Sequence, residues 1–229
     1  GLCDNKEIIT PEALKYWKKT AKKTTKHACE ILGINESASI ACVKPSGTVS
    51  SLVNSSAGMH SRYAKWYIRR VRISTHDALF KTMVEQGMPY TMDKGNHDTA
   101  IFAFPVKAPE GAYLRENERA LDQLEWYRML VDNWADMNVS CTIYVRDEEW
   151  LDVIKYVYDH FDTINGISFF PYDNKMYEDA PFEEITEEVY QKMVEDLPDI
   201  DFSLLARYET SDTTSGNREY ACAGGACAI

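Results

Sequence analysis

Long apolar runs are missing from this sequence. None approaches the ~18 consecutive apolar residues that a membrane-crossing helix needs, so a helical membrane span is excluded. An apolar h-region is also lacking after the start, Gly1-Leu2-Cys3-Asp4-Asn5-Lys6, so no secretory signal is read there. The first residue is not Met, and a processed product or a fragment of something longer is therefore expected. Positive charge is scarce: 25 Lys+Arg against 36 Asp+Glu leave a net −11. Neutralising a nucleic-acid backbone needs the opposite sign, so no nucleic-acid partner is expected. The five histidines, His27, His60, His76, His97 and His160, show no metal-ligand spacing, and no metal site is expected. A Walker A motif is absent as well.

What is present is an ordinary globular composition. The chain has 229 residues, 45% hydrophobic and 27% charged, enough for a sizeable core without covalent staples. Six cysteines without a secretory signal point to a reducing, cytoplasmic compartment. Charge is unevenly spread: Asp173 to Asp201 holds eleven acids and two Lys, whereas Arg62 to Arg72 holds five basic residues and no acid.

Periodicity predicts the elements. Thr10 caps and Pro11 opens a helix whose apolar residues recur at Leu14, Trp17, Ala21, Ala28 and Ile31, with Gly33 as its stop. Ile40 to Val43 reads as a buried strand, broken by Lys44-Pro45-Ser46-Gly47, after which a helix starts at Thr48. Strands are predicted at Tyr67 to Ile73, at Ala100 to Val106 with Pro105 marking an end or an edge, at Asn138 to Val145, and at Gly166 to Tyr172. Helices are predicted at His76 to Gln86, Asn117 to Asp136, Asp147 to Phe161 and Thr186 to Leu197. The helix at 147–161 is expected to turn Trp150, Leu151, Ile154, Val157, Tyr158 and Phe161 inward. Strands alternating with helices indicate an α/β layer or barrel. From Glu209 to Glu219 no aliphatic side chain occurs, so this stretch is expected to be a flexible tether.

Three groups of residues could carry chemistry. Cys222 and Cys227 stand in the last eight residues, separated by Ala223-Gly224-Gly225-Ala226. The Gly-Gly step lets the chain turn back, and nothing bulky shields either sulfur. Thiol–disulfide exchange needs that kind of access. The 14 residues from Tyr208 to Cys222 reach roughly 46–50 Å when extended, enough to visit a buried site and return. An incidental cysteine pair or a metal site are the competing readings. Second, Ser46, Gly47, Thr48, Val49 and Ser50 form a turn between strand and helix, where free N–H groups and hydroxyls suit a phosphate. An ordinary capped turn is the plainer reading. Third, Arg62 to Arg72 interleaves Tyr63, Trp66 and Tyr67, which reads as a charged strand face paired with acids or as a site for an anionic small molecule.

Taken together, these segments resemble the C-terminal part of adenosylcobalamin-dependent (class II, monomeric type) ribonucleoside-triphosphate reductases. The resemblance is carried by Ala41-Cys42-Val43-Lys44-Pro45-Ser46-Gly47-Thr48-Val49-Ser50, Gly58-Met59-His60-Ser61-Arg62-Tyr63 and Tyr67-Ile68-Arg69-Arg70-Val71-Arg72. It continues through Ile167-Ser168-Phe169-Phe170-Pro171-Tyr172, Tyr177 and Ala180-Pro181-Phe182-Glu183-Glu184-Ile185-Thr186 to the terminal cysteines. It implies the later portion of a ten-stranded α/β barrel over residues 1–208, with a flexible redox-active tail over 209–229. It also implies substrate phosphates on the Ser46–Ser50 turn, adenosylcobalamin in the complete enzyme, and a Cys222/Cys227 dithiol that re-reduces an active-site disulfide. Thioredoxin or a similar dithiol would then reduce the tail. The family's thiyl cysteine lies in an Asn-Pro-Cys-x-Glu loop that this sequence lacks, so an N-terminal remainder is an expected partner and the chain alone is expected to be inactive. A diphosphate reductase of another class, a dithiol carrier and a non-catalytic phosphate-binding module are the alternatives.

Overall fold

The computed structural model describes residues 1–47, 49–173 and 179–209. It is mixed α/β and divides into two compact units. The stretch 1–208, expected as one barrel portion, thus holds both units. The tail from 210 onward, with Cys222 and Cys227, lies outside the described residues, as do Thr48 and 174–178.

The first unit is built from Gly1–Arg62 and Gly111–Asp173. Its longest helix, α1 (Pro11–Leu32), starts as predicted: the Thr10 hydroxyl accepts from Ala13 N–H at 3.2 Å, and Pro11 fills the first turn. Gly33 ends it with φ of 64°, a left-handed cap that frees the Ile34 N–H to bond the Cys29 carbonyl at 3.1 Å. Helix α4 (Ala120–Asn133) buries Leu124, Tyr127 and Leu130 against strand β4 (Cys141–Val145). The Tyr127 hydroxyl donates to the Asn165 carbonyl at 2.7 Å and accepts the Asn165 N–H at 2.8 Å, so this deep ring also closes the loop before strand β5 (Ile167–Pro171). Strands β4 and β5 pair in parallel, joined through helix α5 (Trp150–Asp159).

Helix α5 departs from its predicted face. Val153 is buried and Trp150, Tyr156 and Val157 are partly buried against the core. Leu151, Ile154, Tyr158 and the following Phe161 point away, with exposures of 81, 60, 82 and 74%. The helix carries two apolar rows, and composition alone does not say which one faces inward. The Ile40 to Val43 run is a second correction. It forms no strand, only an isolated parallel bridge between Val43 and Val139.

Glu149 is the electrostatic centre of this unit. Its side chain is 2% exposed and accepts from Arg119 Nε at 3.2 Å, Ala120 N–H at 3.3 Å and Arg146 N–H at 3.0 Å. It supplies an acceptor to the first residue of α4, a helix end whose N–H groups have no partner inside the helix.

The second unit contains Tyr63–Glu110 and residues 179–209. Here β1 (Trp66–Ser74), β2 (Thr91–Met92), β3 (Thr99–Lys107) and β6 (Phe182–Glu184) form an antiparallel sheet in the order β2-β3-β1-β6. Helices α3 (Ala78–Glu85) and α6 (Glu187–Asp196) complete the unit, and Met83, Met88, Ala100 and Phe102 form its core. The larger sheet is antiparallel. The link from β1 to β3 runs through a short helix and the two-residue strand β2, and this returns the chain in the opposite direction. Pro105 lies inside β3. Because β2 pairs only with Ile101 and Ala100, β3 is an edge at that point, where a missing N–H is tolerated.

Candidate functional site

The approach to the Ser46–Ser50 turn is held from one side. The Asp136 carboxylate accepts the Ile40 and Ala41 N–H groups at 3.2 and 3.3 Å, and pairs with Lys18 at 2.9 Å and Lys22 at 3.2 Å. The hydrogen bond from Lys18 holds that carboxyl far below the usual carboxylate range. Trp134 Nε1 donates to the Cys42 carbonyl at 3.0 Å, and Ser140 N–H to the Val43 carbonyl at 3.3 Å. The chain therefore enters the turn along a fixed track.

At the turn, Ser46, Gly47, Val49 and Ser50 lie on consecutive backbone, while Thr48 lies outside the described residues. Helix α2 (Val49–Leu52) is a single turn, so it contributes little dipole of its own. One hydroxyl predicted to be a ligand donor is already committed: Ser50 donates to the Ser46 carbonyl, and the neighbouring Ser51 donates to the Gly47 carbonyl at 3.0 Å. Ser50 is buried. Among the described residues of the turn, the backbone and the Ser46 hydroxyl remain for an anion.

The exit from the turn is held just as firmly. Gly58, at φ of 55°, brings its Cα so close to Lys44 that a Cβ would lie 2.7 Å from the Lys44 carbonyl oxygen. Asp4 accepts the Ser56 N–H at 2.6 Å and Arg62 Nη2 at 3.2 Å. Burial pushes the Asp4 carboxyl up, but these two donors outweigh it and hold it below the usual range. Arg62 is 7% exposed and also binds the Asn54 carbonyl at 2.7 Å and Asn54 Oδ1 at 3.1 Å. Asn54 has a positive φ of 48°, and Arg62 is what clamps it. His60 is partly buried and bonds two backbone groups, the Ala57 carbonyl at 2.8 Å and the Thr142 N–H at 2.9 Å.

The basic stretch resolves into paired charges. Arg62 belongs to Asp4. Arg70 pairs with Glu183 and, at 3.7 Å, with Asp179, and Arg72 with Asp93 at 2.9 Å. The charged strand face paired with acids is the reading that holds for Arg70 and Arg72, while Arg62 precedes the strand. Asp4, Gly58 and His60 carried no role in the sequence reading. The one local signal was Gly58-Met59-His60 itself, a glycine and a histidine just after the turn.

The described cysteines, Cys3, Cys29, Cys42 and Cys141, are free thiols. Burial pushes Cys3 and Cys141 up to about 12, so neither supplies a thiolate near neutral pH. Among the described residues no group of three or more His, Cys, Asp or Glu could hold a metal ion. No described helix is long and apolar enough to cross a membrane. A cavity of about 350 Å³ lies beside the turn, lined by Leu14, Trp17, Leu130 and Trp134, with Cys42 and Ser46 also in its wall.

No protein-family model matches the chain. It is 30% identical over 208 residues to an adenosylcobalamin-dependent ribonucleoside-triphosphate reductase of Levilactobacillus brevis, covering 87% of this chain and 28% of that protein. A probable adenosylcobalamin-dependent ribonucleoside-triphosphate reductase of Dictyostelium discoideum is 31% identical over 180 residues, covering 77% of this chain and 24% of the relative. The crystal structure of a B12-dependent (class II) ribonucleotide reductase superposes with a TM-score of 0.67 at 26% identity, over 88% of this chain and 29% of that one. The chain is thus homologous, in sequence and in fold, to part of the adenosylcobalamin-dependent ribonucleotide reductases. It spans about a quarter of the length of the relatives it matches.

Proposed function

We propose that this chain is the C-terminal portion of an adenosylcobalamin-dependent ribonucleoside-triphosphate reductase, the later part of a ten-stranded α/β barrel with a redox-active tail. The observation that carries the reading is the homology over 77–87% of the chain. In this reading the turn receives the substrate's phosphates, with the Ser46 hydroxyl and the backbone N–H groups from Gly47 onward as donors. Both legs of the turn are tied down before a ligand arrives, so little ordering is left to oppose binding.

Adenosylcobalamin in the complete enzyme supplies the radical chemistry. No side chain of this chain is assigned to the cofactor.

Cys222 and Cys227 carry the electrons. The thiolate of one attacks the disulfide left by turnover, forming a mixed disulfide and releasing one active-site thiolate. The second tail cysteine then attacks the mixed disulfide, which restores the active-site dithiol and oxidises the tail. An external dithiol such as thioredoxin reduces the tail by the same exchange.

Two measurements test this. Inorganic triphosphate added to the purified chain is expected to shift the Gly47 amide resonance in a saturable way. No saturable shift overturns the phosphate reading. In the complete enzyme, Cys222→Ser with Cys227→Ser is expected to leave a single turnover intact and abolish sustained turnover with thioredoxin. Steady-state rates that survive both changes overturn the shuttle.

A further inference from the structure

We infer that His60 is a positioning residue for the phosphate turn, a neutral imidazole that fixes the spacing between the turn's two legs. This deepens the proposed function and rests on its reading of the turn as a phosphate site.

The argument starts from β4. The segment leading into the turn is held beside β4 by the Val43–Val139 bridge and by the Ser140 N–H bond to the Val43 carbonyl at 3.3 Å. The segment leading away is held to β4 by His60, whose Nε2 lies 2.9 Å from the Thr142 N–H. Thr142 is two residues beyond Ser140, so one short stretch of chain grips both legs. Between them lies the contact of Gly58 with the Lys44 carbonyl and Pro45 Cα. That contact is close enough that a small shift at His60 is passed on to Lys44-Pro45-Ser46.

The hydrogen bonds define the tautomer. Thr142 N–H can only donate, so Nε2 must be the acceptor, and Nδ1–H donates to the Ala57 carbonyl at 2.8 Å. A second proton on Nε2 would face the Thr142 N–H and break the grip on β4. The imidazole is partly buried, and loss of water around it lowers its affinity for that proton despite the favourable Ala57 carbonyl. The titratable side chains on the elements around it are Cys141 on β4, Cys3 bonded to the Met59 carbonyl, the Asp4–Arg62 pair, and Lys44. None of them contributes to the His60 shift, which arises from burial and the Ala57 carbonyl.

The sign follows. A folded value below the ordinary 6.5 means that the stabilisation is complete above pH 6.5 and is lost as pH falls from there through the folded value. The turn should loosen over the same range.

The test is a pH titration of the ligand-free chain from 8 to 5, followed by nitrogen–proton and imidazole resonances. In the wild type, the amide signals of Gly47 and Gly58 are expected to move with the midpoint of the His60 ring. In His60→Gln, whose side-chain oxygen can still accept from Thr142, they are expected to stay in place. A Gly47 signal that ignores the His60 titration overturns the inference. Inorganic triphosphate provides the second arm: His60→Ala is expected to bind about tenfold more weakly at pH 7.5, and His60→Gln within about threefold of wild type. Equal binding by His60→Ala and wild type overturns the positioning role. If His60→Ala does not fold, the titration and the glutamine variant decide. If the wild type does not bind triphosphate at all, the phosphate reading falls, and the coupling of His60 to the turn is judged on the titration alone.

Discussion

Gly58→Ala should both destabilise the chain and abolish triphosphate binding. Two costs combine at this position. A left-handed backbone costs a residue with a Cβ roughly 1–2 kcal/mol. The new methyl would also lie 2.7 Å from the Lys44 carbonyl oxygen, a backbone atom that cannot rotate away. The segment leading into the turn must therefore move, and the Ser46–Gly47 backbone moves with it. We expect a loss of about 2–4 kcal/mol in urea unfolding of the unit that holds it. Gly33 is the internal control. Its φ of 64° is equally left-handed, but a Cβ there meets nothing within 4 Å. Gly33→Ala should cost only the backbone term, about 1 kcal/mol, and leave triphosphate binding unchanged. Equal effects of the two substitutions would show that the approach to Lys44 is unimportant.

The second large effect is expected at Glu149. Replacing it with Ala removes the acceptor for two backbone N–H groups, Ala120 and Arg146, and strips Arg119 of its buried partner. Unsatisfied buried donors cost about 1–3 kcal/mol each, and truncating one partner of a buried charged network costs about 3–5 kcal/mol in all. We expect Glu149→Ala to lose about 3–4 kcal/mol, with amide exchange accelerating first at Ala120 and Arg146. Glu149→Gln keeps an acceptor oxygen and should recover part of the loss. An alanine variant within about 0.5 kcal/mol of wild type would mean that water replaces the carboxylate without difficulty.

Much of the architecture could be read from local chemistry. Thr10-Pro11 and Gly33 bracket α1 because capping and left-handed termination depend on one residue each. Strand β1 was visible in its alternation and β3 in its apolar, β-like run. Harder to see was anything decided by a distant partner. Ile40 to Val43 has the composition of a strand, yet its N–H groups go partly to the Asp136 carboxylate, about a hundred residues away, and not to a ladder. The inward face of α5 could not be picked out either, since both of its rows are apolar. The Ser46–Ser50 turn was legible through its residue types. Its support was not: Asp4, Gly58, Arg62 and His60 acquire their roles only through contacts with Ser56, Lys44, Asn54 and Thr142.

Six of the ten residues of helix α5 are exposed. One apolar row faces the core, the other faces outward, and Asp152, Lys155 and Asp159 flank the outward row. Glutamate or lysine at Leu151 or Tyr158, 81 and 82% exposed, would remove little packing within this chain.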